Sequence, residues 1–459
     1  MTRKPPPQVY LASLGCAKNL VDSERILGRL AAAGAVVNVP PDQADIILVN
    51  TCGFIAPAKE ESIETILQLA EWKRSGRCRV LIVMGCLAQR YADELRGQIP
   101  EADGFFGLGE EDAILAACGL RAHAGHGAGR LLLTPPHTAY LRIADGCDNR
   151  CAYCAIPIIR GPFRSHPVGE LLREARQLVR HGARELNLIG QDTTMYGSDI
   201  PGGPRIPDLV ERVGRLRDLR WLRLLYTHPA HWTDDLIAAF ARVPKICPYV
   251  DLPLQHLDDD ILARMGRRVT QARILNLLER LRRNIPGVAI RTSFIVGFPG
   301  ESRAKFKLLL RLVQELRFDH LGVFAYSREE GTRAADMAGQ VRSAERENRR
   351  QEIMLAQQEI AFARNRSLVG SRMEVVVEER ASGRDTWIAR SRTQAPDVDS
   401  VTLVKGKGLA PGMFRMVQIT GSREYDLVAS ALGARTAARL THDAELPDGR
   451  QFIRKPFSI

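Results

Sequence analysis

The sequence predicts an α/β protein in three parts: an N-terminal doubly wound parallel sheet, a central open (β/α)6 barrel and a C-terminal small five-stranded β-barrel. Three observations lead to this prediction. Apolar runs alternate with helical stretches over residues 7–120, and strand–helix units repeat over 133–366. Over 367–434 the pattern changes to short strands without a long helix. A chain of 459 residues is long enough to bury several such cores.

The first part begins with a β–α–β–α–β pattern. Buried strands are predicted over 9–14, 46–49 and 80–84, because these runs are largely apolar and rich in β-branched residues. Helical spacing of apolar residues covers 21–33 and 58–72, and Gly34 and Gly76 stand where helices commonly end. Strands joined by helices in this order form a parallel sheet.

A linker rich in glycine and histidine, 119–130, leads to the central part. The strands predicted there are 140–143, 185–189, 221–225, 249–252, 289–296 and 320–325. Six strand–helix units favour an open barrel over the closure that eight units give. The charged stretch 342–366 is expected to be a helix that packs against this barrel. Five short strands follow residue 370, and the tail after residue 434 shows no clear period.

Composition limits the classes of function. No segment approaches the roughly 20 apolar residues of a membrane span, and the first residues do not resemble a signal peptide. We therefore predict a cytoplasmic protein with no membrane partner, in which the nine cysteines bind metal or take part in catalysis rather than form disulfides. The net charge of +12 fits a nucleic-acid or ribosomal setting, and equally a coding bias towards arginine.

Three cysteines lie close together in the chain, and we call them the loop cysteines: Cys147, Cys151 and Cys154. Their spacing, C-x3-C-x2-C, can hold three corners of a cubane 4Fe–4S cluster, which normally has four cysteine ligands. With no fourth cysteine nearby, one iron stays open for another ligand. The loop cysteines follow the first barrel strand, at the carboxyl rim where barrel active sites lie. Zinc is disfavoured because no neighbouring histidine or cysteine completes a set of four.

A second set follows three strands of the N-terminal sheet, and we call its members the sheet-edge cysteines: Cys16, Cys52 and Cys86. Each is separated from the next by about one strand–helix unit. Parallel strands bring their carboxyl ends to one edge of a sheet, so the three thiols are expected to converge there. The alternative, three unrelated buried cysteines, is disfavoured by their shared position after a strand. Three ligands again leave one iron open.

The loop cysteines, with Tyr153 before the last of them, resemble the radical S-adenosylmethionine (SAM) superfamily. Together with the sheet-edge cysteines they resemble the methylthiotransferase family of that superfamily, over nearly the whole chain. The stretches that carry this resemblance are SLGCAKN at 13–19, NTCGFI at 50–55, IADGC at 143–147 and IVGFPGE at 295–301. In that family the C-terminal barrel is of the TRAM type.

The resemblance implies two 4Fe–4S clusters and SAM as cofactors. It assigns the catalytic cluster to the loop cysteines, where SAM would bind the open iron and yield a 5′-deoxyadenosyl radical. It assigns an auxiliary cluster to the sheet-edge cysteines, where the open iron would carry the sulfur to be inserted. A second SAM would supply the methyl group.

Further residues at the barrel rim are candidates for SAM binding: Tyr153, Gln191, Asp192, Gln255, Ser293 and Gly297. Polar side chains after barrel strands can bond the carboxylate, ribose or adenine of SAM, and residues of this kind cap helices about as often. The turn that begins at Gly297 is expected to bring its backbone close to the adenine. Three histidines are expected to be structural rather than ligands: His228, His231 and His256.

Within the family, the chain resembles the enzymes that modify an aspartate of ribosomal protein twelve of the small subunit more than those that modify a tRNA adenosine. The stretches that favour the ribosomal protein are 19–24, 190–197, 251–256 and 290–295. The stretch HPAH at 228–231 is closer to the tRNA enzymes and keeps that alternative open. His166 stands where the family often has arginine.

The charge of the C-terminal barrel offers a physical argument about the substrate. Residues 370–432 contain nine basic and eight acidic residues, little net charge for a module that grips RNA. We therefore expect its carboxylates to meet a basic protein. The acidic residues chosen for this role are Asp397, Asp399 and Glu424, and the basic residues compared with them are Arg390, Arg392 and Lys405.

The predicted partners are ribosomal protein twelve of the small subunit, free or on the ribosome, and a reductant such as flavodoxin or ferredoxin. Transfer RNA is less favoured. A function of another class stays open, a non-catalytic iron–sulfur scaffold or an RNA-binding redox sensor. Such a protein would hold clusters without cleaving SAM, so release of 5′-deoxyadenosine distinguishes the two.

Overall fold

The computed structural model describes residues 5–121 and 129–433. The middle of the predicted linker, the last residue of the predicted C-terminal domain and the tail beyond it lie outside these ranges. Within them, no helix combines the length and the apolar character needed to cross a bilayer.

The strands, in chain order, are β1 Gln8–Ser13, β2 Val36–Val37, β3 Ile46–Thr51, β4 Val80–Gly85, β5 Gly104–Phe106, β6 Thr138–Arg142, β7 Ala144–Asp145, β8 Arg164–Ser165, β9 Glu185–Ile189, β10 Trp221–Leu224, β11 Tyr249–Asp251, β12 Ala289–Val296, β13 His320–Ala325, β14 Arg372–Arg380, β15 Thr386–Ser391, β16 Thr402–Lys405, β17 Phe414–Arg423 and β18 Asp426–Ala431. The helices are α1 Ala17–Ala32, α2 Ala56–Ser75, α3 Cys86–Gln98, α4 Glu111–Ala117, α5 Ile156–Arg160, α6 Val168–Arg180, α7 Ile206–Gly214, α8 Asp234–Arg242, α9 Asp259–Met265, α10 Gln271–Asn284, α11 Arg303–Leu316 and α12 Ser343–Ser367.

The N-terminal sheet is parallel, with the strand order β2-β1-β3-β4-β5. One face packs against apolar side chains of α2 and α3, and the other against α1 and α4. This arrangement confirms the predicted doubly wound sheet. The central strands are level at their carboxyl ends, since Ser13 is paired with Asn50 and Asn50 with Met84.

The central domain has two parallel three-stranded sheets, with the orders β10-β9-β6 and β11-β12-β13. A parallel bridge between Leu222 and Ile246 joins β10 to the segment that leads into β11. The six strands therefore follow one another around an open barrel, as the six predicted strand–helix units required. Alternate residues of a strand face opposite sides, so one set packs under the surrounding helices and the other faces the barrel interior.

The charged helix α12 packs against the barrel, as predicted. The side chain of Arg349 donates to the carbonyl of Glu301 at 2.8 Å, and that of Gln357 donates to the carbonyl of Phe318 at 3.0 Å. Both side chains are buried, so these hydrogen bonds to barrel backbone fix the inward face of the helix.

The C-terminal domain is a closed barrel with the strand order β14-β15-β16-β18-β17, as predicted. The segment 395–399, between β15 and β16, enters the interior of the central barrel. There Tyr140 on β6 donates its hydroxyl to Asp397 at 2.9 Å, and Tyr249 on β11 donates to Asp399 at 2.7 Å. The small barrel is therefore anchored inside the central domain rather than loosely attached to it.

This anchoring corrects the docking hypothesis for the C-terminal barrel. Asp399 is 5% exposed and bound within the chain, so it offers no surface to a partner. Asp397 accepts a hydrogen bond from Tyr140 but is itself exposed. Arg390 is 3% exposed and contacts Glu185 at 2.6 Å, and Arg392 donates to the carbonyls of residues 244 and 246. Of the six residues chosen, Asp397, Lys405 and Glu424 are exposed. A count of charges along a sequence does not separate buried pairs from surface charge.

Candidate active site

The sheet-edge cysteines meet at the carboxyl edge of the N-terminal sheet. Cys16 directly precedes α1, Cys52 lies in the loop between β3 and α2, and Cys86 is the first residue of α3. Gly15 has a φ of +82°, and a Cβ there would lie 2.9 Å from the Cβ of Cys52 and 3.2 Å from its Sγ. The loops therefore touch, and only glycine fits at this contact.

Hydrogen bonds hold these loops in place. The side chain of Asn50 donates to the carbonyl of Asn19 at 2.8 Å, and the side chain of Asn19 donates to the carbonyl of Thr51 at 2.9 Å. The Oδ1 of Asn19 also accepts from the Cys86 thiol at 3.2 Å. Two buried amides thus connect the loops that carry all three cysteines.

The electrostatics differ among the sheet-edge cysteines. Burial, together with the neighbouring Cys16 and Cys86, raises the pKa of Cys52 to about 12. Burial likewise raises the pKa of Cys86 to about 11. For Cys16, burial raises the pKa, but the positive charges of Lys18 and Arg160 outweigh it and leave the pKa lowered. Thiolates at this edge need cations or metal beside them, and binding of metal would displace the protons.

The loop cysteines lie between β7 and α5. The turn before them depends on Gly146, which has a φ of +68° and where a Cβ would lie 1.9 Å from the carbonyl oxygen of Pro162. The N–H of Ala152 donates to the carbonyl of Met265 at 2.8 Å, which fixes the middle of the loop to the end of α9. Burial raises the pKa values of Cys147, to about 11, and of Cys154.

The spacing of the sulfur atoms decides which group could bind. In a tetrahedral zinc site with Zn–S distances of about 2.3 Å, the sulfur atoms lie roughly 3.8 Å apart. Within 5–121 and 129–433, neither cysteine set brings three sulfur atoms within 4.8 Å of one another. Both sets are therefore wider than a single ion requires. Three thiol donors at this wider spacing fit a larger iron–sulfur cluster.

The residues predicted to bind SAM lie at the carboxyl rim around the loop cysteines. Tyr153 packs edge-on against Phe298, with ring centroids 6.5 Å apart. Gln255 has a φ of +70°, and its backbone pairs with β12, where its N–H donates to the carbonyl of Ser293 at 2.8 Å. Gln191 is half-buried directly after β9. Their contacts with SAM stay a prediction.

The structure gives a reason for glycine at position 297 that does not involve SAM. A Cβ at this position would lie 2.3 Å from the Cγ of Arg346 on α12. The close approach is therefore to a side chain of this chain, and this alone requires glycine. Whether the same turn also approaches the adenine stays a prediction.

Asp192 joins two histidines that the sequence separates from it. It accepts from His231 at 2.8 Å, and the rings of His228 and His231 are stacked 4.7 Å apart. Their potential ligand atoms lie within 4.8 Å of one another. However, the carboxylate also accepts from Asn149 at 2.7 Å and from Thr194, so its oxygens are already occupied. The group ties the rim of β9 and β10 to the loop cysteines.

The structural role of the histidines stays a prediction. Burial and the charge of Arg267 lower the pKa of His228 to about 2, so its imidazole stays neutral. His256 is fully buried, accepts from the N–H of Asp258 at 2.9 Å and lies 3.7 Å from Glu301. His166, which replaces the arginine common in the family, lies 3.1 Å from Asp145.

Arg160 is a site residue that sequence reasoning missed. It ends α5, the short helix directly after the loop cysteines, yet its guanidinium lies 3.6 Å from the Sγ of Cys86. It also donates to Asn19 at 2.8 Å and to Asp22 at 2.9 Å. No sequence pattern signals this contact, because it joins residues of two domains. Through Arg160, the two cysteine sites are neighbours.

Family models match all three parts of the chain. The Uncharacterized protein family UPF0004 matches residues 8–107, the Radical SAM superfamily matches 141–313, and the TRAM domain matches 369–432. Among solved structures, the radical SAM methyltransferase TsrM from Kitasatospora setae has a TM-score of 0.51 at 14% identity, covering 70% of this chain and 75% of TsrM. The cobalamin-dependent radical SAM enzyme OxsB has a TM-score of 0.50 at 13% identity, covering 76% of this chain and 56% of OxsB. At these identities the likeness concerns the fold alone.

The fold, the C-x3-C-x2-C loop at the barrel rim and the matching family model define the class: this is a radical SAM protein. Curated relatives specify the family. The chain is 47% identical to the ribosomal protein uS12 methylthiotransferase RimO of Syntrophus aciditrophicus and 46% identical to that of Geobacter sulfurreducens, in each case covering 93% of this chain and 98% of the relative. The chain belongs to the RimO family of methylthiotransferases, as the resemblance in its motifs implied.

Proposed function

We propose that this chain adds a methylthio group to the β-carbon of an aspartate of ribosomal protein uS12, with SAM and two 4Fe–4S clusters as cofactors. The observation that carries the proposal is the contact of Arg160 with Cys86. It makes the two predicted cluster sites neighbours across one domain boundary, as a reaction that needs a radical and a sulfur donor at one carbon requires. The identity with RimO enzymes over nearly the whole chain supports the choice of substrate.

The loop cysteines would hold the cluster that binds SAM. SAM bound at a reduced 4Fe–4S cluster supplies a radical able to remove hydrogen from a C–H bond. The residues of this chain orient the bound groups and exclude water. Phe298 packs edge-on against Tyr153 and Tyr326, which forms an aromatic wall beside the loop. Arg267 is buried with its guanidinium 3.8 Å from the Sγ of Cys151, where it offsets negative charge.

The sheet-edge cysteines would hold the second cluster. Three thiolates in a buried place carry negative charge that the protein must offset. Arg160 lies against Cys86, and Lys18 follows Cys16 in the first turn of α1. The hydrogen bonds of Asn19 and Asn50 fix the loops before any cofactor binds, which preorganises the ligands.

The test is anaerobic reconstitution of the chain with iron and sulfide, followed by reaction with SAM, a reductant and either purified uS12 or tRNA. We expect release of 5′-deoxyadenosine and a methylthio-modified aspartate in uS12, detected by mass spectrometry. Methylthio-adenosine in the tRNA reaction, with unmodified uS12, would move the assignment to the tRNA enzymes. Clusters without any 5′-deoxyadenosine would favour the non-catalytic scaffold.

The two cysteine sets should fail in different ways. Replacing Cys16, Cys52 and Cys86 by Ala should leave 5′-deoxyadenosine formation intact and abolish the methylthio product, because the radical would be formed at the other site. Chromatography of both products in one reaction measures this. If the triple variant still modifies uS12, the sheet-edge cysteines do not hold the sulfur donor. Cys78→Ala, at a buried cysteine outside both sets, is the matched control.

The finer partners are also proposals. A flavodoxin or ferredoxin as electron donor, and uS12 on the ribosome or free as substrate, rest on the resemblance to the family. Comparing modification rates for free uS12 and for isolated small subunits would decide the second question. A cytoplasmic location and the domain limits 7–120, 133–366 and 367–434 stay predictions as well.

A further inference from the structure

Lys18 is a buried cation without an anionic partner. It is 5% exposed, in the first turn of α1. Within 5–121 and 129–433, its ammonium forms no ion pair and no hydrogen bond. Its one close contact is with the ring of Tyr226, whose centroid lies 3.3 Å from Nζ. A cation–π contact offsets only part of the cost of removing an ammonium from water.

The carboxylates around Lys18 are paired with other cations. Asp22 on α1 binds Arg142 and Arg160. Asp251, which fixes the backbone of Tyr226, binds Arg291 at 3.0 Å. These acids therefore pair with arginines, and no carboxylate in the part of the chain that the structure describes pairs with Lys18.

The contact between Lys18 and Tyr226 lies where the two cysteine sites face each other. Lys18 is two residues beyond Cys16 on the N-terminal domain, and Tyr226 follows β10 at the carboxyl rim of the barrel. Tyr226 has a φ of +58°, a left-handed conformation that is costly for a residue with a side chain. Its N–H donates to Asp251 at 2.8 Å and its carbonyl accepts from Thr193 at 3.0 Å. The barrel thus holds the ring in a fixed position under the ammonium.

We propose that Lys18 binds the side-chain carboxylate of the substrate aspartate, with Tyr226 holding the ammonium in position. This inference rests on the proposed function. An aspartate whose β-carbon is modified must place its carboxylate beside the reacting carbon, between the two cysteine sites. An ammonium there without a partner supplies the charge that such a substrate needs, and it would reject a neutral amide or a nucleoside.

The alternative role for Lys18 is to offset the negative charge of the cluster at Cys16. Its positive charge contributes to lowering the pKa of the Cys16 thiol. The two roles predict different measurements. A cation that serves only the cluster changes its reduction potential and leaves substrate selection unchanged. A cation that binds substrate changes the preference for aspartate over asparagine.

The experiment compares the reconstituted wild type with Lys18→Met, which removes the charge at similar length, and Lys18→Arg, which keeps it. Each is assayed with uS12 and with uS12 in which the target aspartate is replaced by asparagine, for binding and for KM. Iron content and the midpoint potential of the auxiliary cluster are measured alongside. Lys73→Met, at a lysine that pairs with Asp103 away from the site, is the control.

We expect Lys18→Met to weaken binding of uS12 by roughly 10- to 100-fold, as loss of a charge-assisted hydrogen bond implies. It should bind the aspartate and asparagine forms equally, while the wild type and Lys18→Arg prefer aspartate. Full iron content in Lys18→Met would show that the site is folded. Unchanged binding and an unchanged preference, with or without a shifted potential, would overturn this inference alone. A wild type that leaves uS12 unmodified would overturn the proposed function, and this inference with it.

Discussion

Two groups of buried charges lie at contacts of the central barrel with its neighbouring domains, and they are arranged in opposite ways. Near the amino ends of the strands, Glu185 is fully buried between Arg223, at 3.1 Å, and Arg390 of the C-terminal barrel, at 2.6 Å. Against the carboxyl rim, Lys18 of the N-terminal domain is almost as buried, and no carboxylate among residues 5–121 and 129–433 pairs with it. The first group is complete within the chain and joins two domains. The second, in our proposal, is completed by the carboxylate of the substrate.

The difference shows how pairing separates structural charge from functional charge. Burial raises the pKa of Glu185, yet Arg390 and Arg223 outweigh it and lower the pKa to about 2. A carboxylate held so firmly in its charged form stabilises the domain contact. Within the described residues, Lys18 has only the ring of Tyr226 as partial compensation, and a buried charge without an ionic partner is costly unless binding supplies one.

The largest expected effect concerns the loop cysteines at the carboxyl rim of the central barrel. Replacing Cys147, Cys151 and Cys154 together by Ala should abolish SAM cleavage and leave about half of the iron, since each cubane holds four irons. The buried group of Glu185, Arg223 and Arg390 is unaffected, so the free energy of unfolding of the cluster-free protein should change little. Iron analysis and 5′-deoxyadenosine release measure the first effect, and urea denaturation the second. Cleavage of SAM by the triple variant would contradict the assignment of the catalytic cluster.

The second-largest expected effect concerns the buried group of Glu185, Arg223 and Arg390. Glu185→Gln should lower the free energy of unfolding by about 3–5 kcal/mol, because it leaves Arg223 and Arg390 without their shared anion. Urea denaturation measures it. The matched control is Glu211→Gln, which breaks an exposed pair with Arg242 and should cost less than about 1 kcal/mol. Equal effects of the two variants would show that the buried group does not hold the domains together.

The pH dependence of stability is a second test of what the buried Glu185 contributes. The folded-state pKa of Glu185, about 2, lies below its ordinary value of 4.5. Its contribution is therefore complete above about pH 4.5 and is lost as the pH falls towards 2, a total of about 3 kcal/mol. The unfolding free energy of the wild type should fall over this range, and that of Glu185→Gln should fall less. If the unfolding free energies of the wild type and of Glu185→Gln fall equally, Glu185 does not cause the loss of stability at low pH.

The smallest expected effect is at the other domain contact. Lys59 on α2 is partly exposed and pairs with the buried Glu329 of the central domain at 2.9 Å. Glu329 also accepts from the N–H of Ala56 and so keeps a partner when the lysine is removed. Lys59→Met should therefore cost no more than about 1 kcal/mol, measured by urea denaturation. A loss as large as that of Glu185→Gln would show that partial exposure does not weaken this pair.

The sequence predicted the features that depend on local pattern. The loop cysteines are recognisable from spacing alone, and the sheet-edge cysteines from their position after three parallel strands. Even the error at the start of α1 has a physical reason. The helix was predicted from residue 21 and begins at Ala17, because Lys18 and Asn19 are buried polar residues that interrupt the apolar pattern. Those two residues are polar because they belong to the site.

The contacts between domains could not be predicted from the sequence. Arg160 contacts Cys86, and Arg390 contacts Glu185, across long separations that no periodicity reports. The docking hypothesis for the C-terminal barrel failed for this reason. Asp399 and Arg390 were counted as surface charge, whereas both are buried and paired within the chain.

The insertion of segment 395–399 into the barrel has a consequence for synthesis. The tyrosines and charged residues that line the barrel interior emerge from the ribosome well before this segment does. Until this segment and the preceding strand β15 arrive, Tyr249 lacks Asp399 and Glu185 lacks Arg390. A nascent chain truncated before residue 390 would lack both of these partners. The last contacts of the central barrel therefore form only after most of the chain has been made.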